Sequence, residues 1–130
     1  MHRIALIALL ALAALTLPAA ALAGAIDLRI TYRADATAAA RVLTLHCSVP
    51  SGTVLHPPAA CRRLASIGDA AFAPTPRGMR ACAQIYGGPQ TALVTGIYFG
   101  KPVWTRLTRV DGCANARWNK VAFLFPPPTS

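Results

Sequence analysis

Four cysteines, Cys47, Cys61, Cys82 and Cys113, constrain this chain more than any other feature. An even set in a small exported domain implies two disulfides, and four cysteines allow three pairings. Export is read from the N-terminus. His2 and Arg3 are followed by an uncharged run from Ile4 to Ala23, which Pro18 interrupts and Ala21-Leu22-Ala23 closes. That pattern predicts a secretory signal peptide over 1–23, cut after Ala23. A membrane anchor is the competing reading, since about 20 apolar residues just span a bilayer. The internal proline, the small-residue end and the absence of charge before Asp27 favour cleavage, and no cysteine follows the cut to carry a lipid. The expected product is a secreted, extracellular domain over 24–125 without stable membrane association, ending in a disordered tail over 126–130. The mean hydropathy of +0.45 mostly reports the leader.

Zinc is the other use of clustered cysteines. The chain has no Cys-x-x-Cys pair, and neither His46 nor His56 stands at a finger spacing. No metal or cofactor is expected. Each disulfide should add roughly 2–4 kcal/mol to a domain whose core is modest, mainly by restricting the unfolded chain.

From Gly24 onward the chain carries twelve basic residues, four aspartates and no glutamate, a formal charge of +8. Such a balance suits an anionic wall polymer, nucleic acid or an acidic partner. The basic residues are scattered, only Arg62 and Arg63 are adjacent, and no aromatic-interleaved stripe occurs. Nucleic-acid binding is therefore not expected.

Leu28 to Arg33 alternates apolar and polar, the signature of a half-buried strand. Val42 to Cys47 reads as a second strand and Pro50-Ser51-Gly52-Thr53 as a turn. Ala59 to Ile67 predicts a short helix behind Pro57-Pro58, with Gly68 to end it and Asp69 to start a further helical turn through Phe72. Arg80 to Pro89 reads as loop. Thr91 to Tyr98 and Val103 to Val110 predict a hairpin around Phe99-Gly100-Lys101-Pro102, and Val121 to Phe125 a last strand. Five strands joined by hairpins and irregular connections, with two short helices on one face, make an α+β domain built on an antiparallel sheet. Trp104 is expected in the core or at a dimer contact, Trp118 in an exposed loop, and Met79 as a gap-filler near the loop base.

Several stretches together resemble the Streptomyces subtilisin inhibitor family over nearly all of Leu28 to Phe125. They are Leu43-Thr44-Leu45-His46-Cys47, Pro50-Ser51-Gly52-Thr53, His56-Pro57, Ala60-Cys61 and Gly68-Asp69. The segment Met79 to Tyr86, then Gly100-Lys101 with Val103, Asn115-Ala116 and Phe123-Leu124-Phe125 complete the pattern. The resemblance implies Cys47–Cys61 and Cys82–Cys113 pairing, a five-stranded antiparallel sheet with two helices, and a homodimer. It also implies an inhibitor, not an enzyme, whose partner is an extracellular subtilisin-like serine protease. The reactive bond carried over is Gln84–Ile85. Ala81, Cys82 and Ala83 lie on its acyl side, Gln84 fills the main specificity pocket, and Tyr86 and Gly87 follow Ile85 on the leaving side. Gly87-Gly88-Pro89 departs from the family pattern by one inserted residue.

Two other function classes compete with this one. His46 and His56 could act as an acid–base pair in a small secreted hydrolase, with Lys101 or Lys120 steadying a phosphate. Nothing in their spacing supports this, and no Gly-x-Ser-x-Gly motif offers a nucleophile. A basic binding module for anionic polymer is the second, marked by salt-sensitive binding without inhibition.

Overall fold

Alternation along Ile26–Arg33 (β1) points Ile26, Leu28, Ile30 and Tyr32 inward and leaves Asp27, Arg29 and Arg33 in solvent. The computed structural model describes residues 24–78 and 81–128; the leader expected over 1–23 lies outside them, as do Met79 and Arg80. β1 is the middle of a five-stranded sheet. It pairs antiparallel with Arg41–His46 (β2) on one side and Thr91–Tyr98 (β4) on the other. Ser51–Gly52 (β3) extends the β2 edge, and Lys101–Leu107 (β5) pairs with β4. The order is β3-β2-β1-β4-β5, antiparallel throughout.

One face of the sheet is covered and the other is open. The cover is Pro57–Ile67 (α1), the 3₁₀ turn Gly68–Phe72, Gly112–Val121 (α2) and a final 3₁₀ turn, Ala122–Leu124. Between cover and sheet, Leu28, Ile30, Leu45, Leu64, Val94 and Leu107 are fully buried. Removing such side chains from water contributes about 1.5–3 kcal/mol each. Tyr32, Trp118 and Phe125 form one aromatic cluster, with ring centroids 4.4–6.3 Å apart. Cys47–Cys61 ties the end of β2 to α1.

The α+β class, the five antiparallel strands and the two helices agree with expectation, but two elements are exchanged. Val121–Phe125, expected as a strand, completes α2 and the final 3₁₀ turn. A five-residue apolar run suits either structure. Here Asp111 decides: its carboxylate accepts the Ala114 N–H at 2.8 Å and starts a helix that carries the run into the core. The fifth strand is instead Ser51–Gly52, inside the stretch read as a turn. Trp118, expected in an exposed loop, rides on α2 and is only 6% exposed, whereas Trp104 faces outward from β5 and is 69% exposed, which excludes the core and leaves the dimer contact. The β4–β5 hairpin is tighter than expected. Phe99 (φ 49°) and Gly100 (φ 77°) alone make the turn, both left-handed as a two-residue hairpin of this twist requires. β5 ends at Leu107, short of Val110.

The Tyr98 hydroxyl locks α1 to the sheet. It donates to the Gly68 carbonyl at 2.7 Å and lies 3.2 Å from that of Leu64, and Phe72 packs edge-on against its ring. Burial, reinforced by the charge of Asp69, pushes its pKa up to about 12 from 10.0. The folded protein therefore keeps this phenol neutral after the unfolded chain has ionised it. Its contribution is whole below pH 10 and is lost as pH rises toward 12. Denaturant unfolding across that range is expected to show a decline that Tyr98→Phe lacks, with a neutral-pH cost for the variant of about 1–2 kcal/mol.

Candidate functional site

Among the described residues between the turn ending at Phe72 and the start of β4 there is no helix or strand, and Gln84, Ile85 and Tyr86 stand exposed. Ile85 and Tyr86 are 63% and 65% exposed, two large apolar side chains next to one another in solvent.

The backbone beneath them is held closely. The Ile85 N–H donates to the Ala83 carbonyl at 2.8 Å, a three-residue turn with Gln84 at its apex. The same carbonyl accepts the Gly112 N–H at 2.7 Å. On the other side of the Gln84–Ile85 bond, the Ile85 carbonyl accepts Asn115 Nδ2 at 2.8 Å. The Gly87 N–H donates to the Arg109 carbonyl at 2.7 Å. Cys82–Cys113 adds a covalent link, with Cα atoms 5.2 Å apart. Gly112, Cys113 and Asn115 all belong to the first turn of α2. The Gly112 N–H is one of the donors a helix start leaves without an internal partner, and the loop supplies its acceptor. Asp111 fixes where that turn begins, so one cap residue positions three anchors.

Gly87 lies flat against Asn115: a Cβ there would collide with the side-chain amide. The inserted step is also engaged. Gln90 folds over Gly88, and its Oε1 accepts Arg109 Nη1 at 3.1 Å, while the Arg109 guanidinium stands 5.9 Å from the Trp118 ring. The extra residue is thus held from below.

Ala81, Cys82, Ala83, Gln84, Ile85, Tyr86 and Gly87 form one continuous surface over α2. In the sequence Asn115 carries only the family pattern, and nothing local marks Arg109 or Gln90. The Asp111 cap was the available signal, since it marks the helix that carries Asn115. His46 and His56 do not meet. His46 Nδ1 pairs with Asp27 Oδ1 at 3.1 Å on the open face of the sheet. His56 opens α1 on the covered side. Lys120 donates to the Ala70 carbonyl at 3.0 Å. Cys82, Asp111 and Cys113 bring three possible ligand atoms within 4.8 Å of one another. Both thiols are consumed by the disulfide and the carboxylate caps α2, so this donor set does not fit a metal.

A convex loop, cross-linked to a helix and fixed by its main chain on both sides of one exposed peptide bond, defines a class of loop-presenting, disulfide-bonded α+β domains. A family model described as subtilisin inhibitor-like matches residues 22–110, and the chain belongs to that family of protease inhibitors. The match includes Cys47, Cys61, Cys82 and the exposed loop; Cys113 and Asn115 lie beyond it. No curated protein matches the chain.

Asn115→Ala should loosen the loop without unfolding the domain. Amide exchange at Gly87 and Gly112 is expected to accelerate about tenfold, with global stability changed by less than about 1.5 kcal/mol. Unchanged exchange at both amides would show that the disulfide alone holds the loop.

Proposed function

We propose that this chain is a secreted inhibitor of subtilisin-like serine proteases and that it offers the Gln84–Ile85 bond as a substrate that is not released. One observation carries the reading: the carbonyls of Ala83 and Ile85, on either side of that bond, are both anchored to the first turn of α2. Two disulfides are compatible with export. Among the described residues no helix is long and apolar enough to cross a membrane.

A loop fixed before binding loses little conformational entropy on docking, so main-chain contacts in a protease cleft convert efficiently into affinity. The protease serine attacks the Gln84 carbonyl, and the acyl-enzyme and the Ile85 amine form as the bond breaks. Cys82–Cys113 holds the acyl side, while Asn115 and Gly87 hold the leaving side. The amine stays beside the ester, attacks it, re-forms the peptide and returns the serine. The inhibitor needs no catalytic group of its own. Gln84 suits a pocket for polar, uncharged side chains, whereas a trypsin-like pocket would keep its buried aspartate unpaired.

Titration is expected to give stoichiometric inhibition of subtilisin, weak inhibition of trypsin and slow cleavage only between Gln84 and Ile85. Gln84→Lys should improve trypsin inhibition at least about tenfold, the scale of one restored charge-assisted hydrogen bond. Rapid digestion at the bond would refute the mechanism.

The homodimer implied by the resemblance belongs to the same proposal. The open face of the sheet presents Trp104 beside Arg29, Thr95 and Ile97, and Trp and Arg are enriched where proteins meet. Sedimentation should find a dimer for the native chain and a monomer for Trp104→Glu, with subtilisin inhibition retained.

A further inference from the structure

We infer that the protease served by this loop presents an acidic rim around its cleft and is captured by electrostatic steering; this rests on the inhibitor reading above. The charge of the molecule is not spread evenly along the sheet. Register places Arg33 opposite Thr91, next to the exit of the exposed loop, and Arg106 opposite Leu93 at the same end. Arg109 supports the loop directly through Gly87 and Gln90. Arg117 reaches from α2 to the Ala73 carbonyl (3.2 Å) and the Thr105 hydroxyl (2.9 Å), and Arg77 stands exposed in the segment leading toward Cys82.

Two carboxylates share that end, and both are turned onto their own backbone. Asp35 accepts from the Thr37 hydroxyl and from the Thr37 and Ala38 N–H groups, which hold its pKa below the usual range and keep it charged. Asp111 accepts from Ala114. The hairpin end of the sheet differs. There Asp27 pairs with His46, and Asp69 borders the same recess as Lys101. Arg41, opposite Tyr32, adds a sixth cation, so the loop end holds six cations and two carboxylates, whereas at the hairpin end Asp27 and Asp69 stand against Lys101 and Lys120, whose Nζ reaches the Ala70 carbonyl.

An oriented field of this kind accelerates encounter with an oppositely charged cleft by about 10- to 10³-fold at low salt and acts on the association rate more than on dissociation. It also disfavours partners with a basic rim. The reactive bond would select which proteases are inhibited, and the arginines would select which are met quickly.

The test uses two subtilisins that differ only in exposed residues beside the cleft, one with added aspartates and one with added lysines. Stopped-flow association is measured with the intact inhibitor at about 20 mM and about 500 mM salt, where the Debye length falls from about 20 Å to about 4 Å. The aspartate form is expected to associate at least about tenfold faster at low salt than at high, and the lysine form to show no such acceleration. Arg33→Glu/Arg77→Glu should remove most of that acceleration and leave the dissociation rate unchanged. Lys101→Glu should have little effect, because the length of β5, about 20 Å, separates it from Arg109. Inhibition with association rates independent of salt and of rim charge would overturn the steering while leaving the inhibitor reading intact. Equal losses from Lys101→Glu and the double variant would overturn the directed field in favour of net charge. Absence of complex with either subtilisin at low salt would overturn the inhibitor reading and the inference with it.

Discussion

The bond between Cys82 and Cys113 is the constraint on which the exposed loop over 81–87 depends. The segment it fixes has no strand or helix to organise it, and its exposed side chains at 84–86 gain nothing from burial. Left alone, such a segment would sample many conformations, each residue retaining about 1–2 kcal/mol of backbone entropy. The cross-link places Ala83 over Gly112 and Ile85 over Asn115, and individually modest hydrogen bonds then act on a chain already held near its final position. The sheet and its cover serve this arrangement by fixing α2. Trp118 and Val121 bury one side of that helix, so the anchors move only if the core moves.

What could be read from the sequence follows the range of the interactions involved. β1 and β4 were legible because one side of the sheet is dry and the other wet, which imposes strict alternation. α1 was legible from Pro57 and Gly68 at its ends. α2 was not: Gly112-Cys113-Ala114-Asn115-Ala116 offers little apolar periodicity, and its only strong signal is the aspartate before it. Without the helix as context, Val121–Phe125 has the composition of a strand and Trp118 that of a loop residue. Two-residue β3 carries too few side chains to announce itself.

The exposed bond itself could be placed only through family resemblance, because Gln84 in isolation is an ordinary surface glutamine. Its support was invisible for a different reason. Asn115 lies thirty positions from Ile85 and Arg109 nineteen from Gln90, and no local pattern relates such pairs. The inserted glycine step adds one residue beside the exposed bond. In three dimensions Gln90 and Arg109 close over it, so the longer connection is stiffened by side chains on its far flank.

Apart from the Cys82–Cys113 disulfide, the loop is gripped by its main chain. The amides and carbonyls of Ala83, Ile85 and Gly87 make the anchoring contacts. The side chain of Gln84 contributes one marginal approach, 3.4 Å from Nε2 to the Cys82 carbonyl, and those of Ile85 and Tyr86 point to solvent. Holder and tip are therefore chemically separate. Positions 84, 85 and 86 are free to drift through different side chains under selection with no toll on folding, whereas Gly87, Asp111 and Asn115 are bound to one another by shape. On the inhibitor function proposed above, a lineage carrying this scaffold could follow a changing adversary by exchanging three residues, which would make the domain a reusable handle for a replaceable key.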